Sequence, residues 1–129
     1  MMVTPLYAAL CGLLLILLSQ RVIRQRRRLK VVLGDDDEPR IRRAMRVQAN
    51  FVEYAPIGLI LLALAEMQGH GLWLLHGLGL LLLCGRLLHA FGVAREPEDL
   101  RFRVVGMTLT FAAIALGSLA NLTGVLLLW

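Results

Sequence analysis

The chain has 129 residues, 58% of them hydrophobic and 18% charged, with a formal net charge of +5. A soluble domain of this size spreads charge over its whole surface, yet residues 1–20 and 104–129 carry none, and fourteen of the twenty-three charges lie between residues 21 and 46. This excludes a soluble enzyme, a disulfide-stapled secreted domain and a disordered chain, and leaves an all-α integral membrane protein whose apolar runs are each about 20 residues long, enough to cross a bilayer.

The first span covers residues 3–19. No basic residue precedes it, Arg21, Arg24, Arg26, Arg27, Arg28 and Lys30 follow it, and no small-residue cleavage site stands at Leu18-Ser19-Gln20. These flanks are the reverse of a signal peptide's, so a retained helix is expected, with its C-terminal end toward the cytoplasm. Positive-inside topology and contact with anionic lipid account for the basic run, and no nucleic-acid partner is expected. The Gly34-Asp35-Asp36-Asp37-Glu38-Pro39 stretch reads as a solvated connector, since its consecutive carboxylates lack the alternation of a calcium loop.

The second span, residues 47–67, is entered through Arg40, Arg42, Arg43 and Arg46 and ends at the Gln68-Gly69-His70-Gly71 turn. The third covers residues 72–91 and carries Arg86 and His89 near its end. A polar hinge from Arg95 to Asp99 leads into the fourth, residues 104–129. Both charged connectors then fall on one side, so both termini are expected on the periplasmic or extracytoplasmic side. The four spans form one domain, with no internal repeat.

Ionisable groups in a span are costly and tend to have a functional or assembly role. At about 100° per residue, Arg46, Asn50 and Glu53 project within roughly 60° of one another, with Arg43 one turn back, Tyr54 adjacent and Pro56 able to kink the helix above. Two readings stand side by side. The polar groups can pair with neighbouring helices and fix register, or the cation, amide and anion can hold a zwitterionic ligand bearing carboxylates and an ammonium group.

Other polar residues have simpler readings. His70 and His76 lack ligand-spaced partners, so no metal site is expected. Glu66 can reach the opposite interface, Gly77, Gly79 and Gly85 permit close helix packing, Trp73 and Trp129 suit interface anchoring, and Cys11 and Cys84 behave as small hydrophobes.

The run Arg46, Asn50, Glu53, Tyr54 and Pro56 resembles the second-helix signature of the MAPEG family, the membrane-associated proteins in eicosanoid and glutathione metabolism. The likeness continues through Gly85, Arg86 and His89, and through Arg101, Arg103, Gly106, Met107, Thr108 and Thr110, and is close to the bacterial branch. The resemblance implies a left-handed four-helix bundle assembled as a homotrimer, with glutathione as co-substrate between protomers near the cytoplasmic face. Carried over by residue, Arg46, Asn50 and Glu53 contact glutathione. Glu53 receives its ammonium group, and Arg46 and Gln48 hold carboxylate or backbone groups. Tyr54 matches a binding tyrosine of the leukotriene-forming synthase, Arg86 a polar position on the third helix, and His89 a histidine of the prostaglandin E synthase. Two departures stand out. Val93 replaces a tyrosine four residues after His89, removing one hydroxyl contact. The catalytic arginine has two candidates, and Arg103 fits better than Arg101 because the Val-Val-Gly-Met-Thr that follows aligns with it.

The resemblance thus implies a membrane-bound glutathione transferase or peroxidase. A free thiol has a pKa near 8.5, about that of cysteine, and a cation within about 4–6 Å favours its thiolate. Arginine suits this because it keeps its proton even where desolvated. The hydrophobic electrophile or lipid hydroperoxide then arrives from the bilayer and glutathione from the water. Without the resemblance, Arg101 and Arg103 read as snorkelling interfacial anchors. A non-catalytic lipid-binding or scaffold protein is the alternative function. A small transporter fits less well, because Glu53 is accompanied by Arg46 and Asn50.

Overall fold

A computed structural model describes residues 2–94 and 99–127 as four helices: α1 (Val3–Leu29), α2 (Pro39–Met67), α3 (Leu72–Ala94) and α4 (Leu100–Leu127). Each is long and apolar enough to span a membrane, so the expected four-helix membrane bundle is present. Trp129 and the hinge residues 95–98 lie outside the described residues.

The helices outrun the expected spans at the charged end. α1 continues ten residues past Ser19 to Leu29, and α2 begins at Pro39 rather than at residue 47. Hydropathy marks where lipid begins, whereas arginine and glutamine continue a helix readily once one is started. Arg26, Arg27 and Arg28 occupy the last turn of α1, where cations complement the negative end of the helix dipole. Lys30 ends the helix in the left-handed conformation, and the Val31 N–H returns to the Arg26 carbonyl at 3.0 Å. Pro39 suits the start of α2, where its missing N–H costs nothing.

Between them, Gly34, Asp36 and Asp37 take positive φ angles. Arg42 Nε and Nη2 donate to Asp35 Oδ2 (2.6 Å) and Asp37 Oδ1 (2.9 Å), fastening the connector to the first turn of α2. That guanidinium holds the Asp35 carboxyl below the usual carboxylate range. The connector is solvated, as expected, and also clasped.

α1 and α4 lie on opposite sides of the α2–α3 pair and do not meet among the described residues. Toward the basic end the core is Cys11, Leu18, Val47, Phe51, Ala55, Ala90 and Val93; toward the other end it is Val3, Tyr7, Leu62, Ala65, Leu75 and Leu78. α4 buries only Gly106, Thr110, Ala113, Gly117 and Ala120, a seam of small residues repeating every three or four positions. This seam lets α3 and α4 nearly touch. A Cβ at Gly85 would lie 2.8 Å from the Gly106 carbonyl, and one at Gly106 would overlap the His89 backbone. Gly79 makes room for the Tyr7 ring, whereas a Cβ at Gly77 would meet nothing within 4 Å among the described residues, so Gly77 does not serve the expected close packing within this bundle.

At the opposite end Glu66 turns inward. Its carboxylate accepts the Val3 and Thr4 N–H groups at 2.8 Å each, and the Met2 N–H as well, capping α1 from a neighbouring helix. The Tyr7 hydroxyl meets His76 Nδ1 at 3.1 Å, and His70 Nε2 lies 3.0 Å from the Ala120 carbonyl. Both histidines tie helices together, and among the described residues no cluster could hold a metal. Trp73 is 93% exposed, as a membrane-interface anchor requires. Cys11 is buried and Cys84 faces outward from α3.

Candidate functional site

A cleft of about 290 Å³ opens at the basic end of the bundle. Pro39, Arg42, Arg43, Arg46 and Asn50 of α2 line one wall, His89 and Val93 of α3 the floor, and Arg103 of α4 the far side. The near-contact of α3 and α4 at Gly85 and Gly106 fixes this spacing, since Gly92 also packs against Phe102 and the Arg103 backbone. Four guanidiniums and one imidazole therefore converge where no described lining residue is acidic. In the low dielectric near a bilayer such a cluster attracts carboxylates strongly and favours the ionised form of any acid placed there.

Of the residues singled out in the sequence, Arg46, Asn50, His89 and Arg103 meet in this cleft. Arg101 does not line it. Its backbone N–H bonds Asp99 Oδ1 at 3.0 Å and its side chain is exposed. Gln48 is also elsewhere: its amide donates to Ser19 Oγ at 2.7 Å, tying α2 to α1. The reason is helical geometry, because two residues past Arg46 lies nearly the opposite face. Glu53 sits on the outer surface of α2, and no hydrogen bond or ion pair engages its carboxylate among the described residues.

Arg86 is not at the cleft surface. It is 1% exposed and lies behind Asn50. Its Nη1 donates to Asn50 Oδ1 (2.7 Å) and to the Asn50 carbonyl (3.3 Å), Nε to Thr110 Oγ1 (2.9 Å), and Nη2 to Met107 Sδ (3.1 Å). The Tyr54 ring covers the guanidinium at 5.4 Å from its centroid and packs edge-on against Phe111. A buried cation is tolerable only when its donors are met, and here a carbonyl, an amide, a hydroxyl, a thioether and a π-face meet them. Thr110 passes the interaction on by donating to the Gly106 carbonyl at 2.8 Å.

Three members of this arrangement have no site role in the sequence. Thr110 and Met107 hold Arg86, and Arg42 borders the cleft while also clasping the connector. Arg42 and Arg43 carried a signal, the four arginines that open α2. Met107 and Thr110 stand in the fourth-helix block that carries the resemblance, but their bonds to Arg86 have no sequence signal, because they depend on the register between α3 and α4.

The MAPEG family model matches residues 4–123. The chain is 40% identical over 121 residues to the inner membrane protein YecN of Escherichia coli K12, covering 94% of this chain and 91% of that protein. The Escherichia coli O6:H1 protein of the same name matches to the same extent. With four membrane-spanning helices, the second-helix signature and this match over nearly its whole length, the chain belongs to the MAPEG family.

Proposed function

We propose that this protein is a glutathione-dependent membrane transferase or peroxidase, working as a homotrimer in which Arg103 holds the glutathione thiol as its thiolate. The observation that carries this reading is the convergence of Arg46, Asn50, His89 and Arg103, from three helices, on one cationic cleft. The residues fit the tripeptide. Its two carboxylates find arginines, its amides find the Asn50 side chain, and its ammonium group needs an acid. Glu53 supplies that acid, though it faces outward from the same stripe of α2. A carboxylate between exposed Val52 and Ile57 on a spanning helix is costly against lipid. A second copy of the chain covering this face removes that cost and brings Glu53 to a ligand in the neighbouring cleft, which supports the trimer. The arginines of α1 and α2 support a cytoplasmic position for the cleft and extracytoplasmic termini.

Arg103 stands on the exposed first turn of α4, beside Val104 and Val105. Each unit by which it lowers the thiol pKa corresponds to about 1.4 kcal/mol of preference for the thiolate. The thiolate sulfur then bonds to an electrophilic carbon, and the leaving group departs with its electron pair. With a lipid hydroperoxide it takes the terminal oxygen, the O–O bond breaks, and a second glutathione completes the disulfide with release of alcohol and water. The substrate class is apolar, because the far side of Arg103 opens onto the hydrophobic surface of α4.

A second reading, a non-catalytic lipid-binding or scaffold role, draws on Val93, which puts a buried hydrocarbon in the cleft floor. Ultraviolet difference spectra on adding glutathione decide between them. A thiolate band in the wild type that disappears in Arg103→Ala, with the oligomer intact, supports the enzyme. Absence of glutathione binding by calorimetry supports the scaffold.

A further inference from the structure

The bundle carries a second basic crevice, of about 200 Å³, between α1 and α2. Arg21 and Gln25 of α1 form one side, Arg40, Arg43, Ala44 and Val47 of α2 the other, and Ala94 closes the end. None of these described lining residues is acidic. Arg21 gives one of its five N–H donors to the Ala94 carbonyl at 3.0 Å and Arg43 gives one to the Val93 carbonyl at 3.4 Å, and no hydrogen bond or ion pair engages the Arg40 guanidinium among the described residues. Capping α3 therefore uses only a fraction of the donors gathered here.

A second hollow adjoins this crevice along α1 and shares Arg21 and Gln25 with it. Its wall begins at Leu17 and Leu18 and continues through Arg24 and Arg28, residues three and four apart on one helix face. The surface changes from hydrocarbon to cation within one turn, at the point where the uncharged first twenty residues end. A free anion would have no use for the leucines, and an uncharged lipid none for the arginines. A ligand with a phosphate at one end and acyl chains at the other matches both.

We propose that this crevice is a binding site for an anionic phospholipid, with the headgroup phosphate held by Arg21, Arg40 and Gln25 and an acyl chain lying along Leu17 and Leu18. The site is separate from the glutathione cleft and does not depend on it, although Arg43 borders both.

Native mass spectrometry of the purified protein in detergent, titrated with phosphatidylglycerol, phosphatidylcholine or inorganic phosphate, tests this. Phosphatidylglycerol should bind in preference to phosphatidylcholine, and Arg21→Gln with Arg40→Gln should weaken it by about tenfold or more, whereas Lys30→Gln with Arg101→Gln, the same charge change elsewhere at this end, should alter it less than about twofold. The exposed Arg40→Gln variant alone should weaken binding in the same direction, which keeps the test open should loss of the Arg21 cap disturb folding. Equal losses in the two double variants, no preference for the anionic lipid, or full displacement of the lipid by an equal concentration of inorganic phosphate would each overturn the proposal.

Discussion

Arg86 holds Asn50 in one orientation. A guanidinium only donates, so the Asn50 atom 2.7 Å from Arg86 Nη1 is its oxygen, and the amide nitrogen is the atom left to face the cleft. Asn50 is thereby set as a donor toward any carboxylate or carbonyl bound there. Arg86→Ala should leave the Asn50 and Thr110 oxygens short of a donor and open a cavity, lowering stability by about 2–4 kcal/mol. Arg86→Lys should recover part of this, because a single ammonium cannot reach both oxygens with the fork's geometry. Denaturant titration of the micellar protein reads both, and unchanged midpoints would show that Arg86 does not organise the site.

The helix pair behind the site depends on glycine in the same direct way. Gly106→Ala puts a methyl group into the backbone of α3 at His89, where no flexible side chain can yield. A loss of about 1–3 kcal/mol is expected, with weaker ligand binding because His89 and Arg103 are pushed apart. Gly77→Ala, whose added carbon meets nothing within 4 Å, should be neutral or slightly stabilising, since alanine favours the helix. Thermal unfolding of the two variants side by side tests the seam, and equal effects would refute it.

Much of this architecture was legible in the sequence. Four apolar runs gave four helices, and the 3.6-residue period put Arg46, Asn50 and Glu53 on one stripe, of which the first two meet His89 and Arg103 in the cleft while Glu53 faces outward. The helix ends at the charged side were not legible, because arginine-rich segments extend a helix without extending its hydropathy. The resemblance groups Gln48 with the stripe, although helical arithmetic puts it on the opposite face of α2, which the structure turns toward Ser19 of α1. That Asn50, Tyr54, Met107 and Thr110 all meet Arg86 is not legible in the sequence. This follows from how deeply α4 settles on α3, which Gly85, Gly92 and Gly106 decide jointly across two segments.

Gln48 and Asn50 offer a test of that geometry. Gln48→Ala should cost about 1 kcal/mol through loss of the bond to Ser19, while leaving the proposed glutathione binding unchanged. Asn50→Ala should weaken binding by about tenfold, the effect of losing roughly 1.4 kcal/mol of hydrogen bonding. Calorimetry on the two variants separates them, and a larger binding loss for Gln48→Ala would mean that its amide leaves α1 to reach the ligand.

The Glu66 carboxylate has a different task, since it lies at the end of the bundle remote from the cleft. It accepts the first N–H groups of α1 with both oxygens, at the helix end where negative charge is favoured. α1 has no side-chain cap of its own and no acidic residue in its first turn, so Glu66 from α2 is what meets these donors. Glu66→Gln removes the charge and turns one acceptor into a donor facing the helix terminus. The start of α1 should then fray, with faster amide hydrogen exchange at Val3 and Thr4 and a stability loss of about 1–2 kcal/mol. Exchange at Arg21 and beyond should be unaffected, because the core at Leu18 and Val22 holds that part of α1 independently. Uniform acceleration along all of α1 would show instead that the whole helix detaches as one unit once its cap is lost.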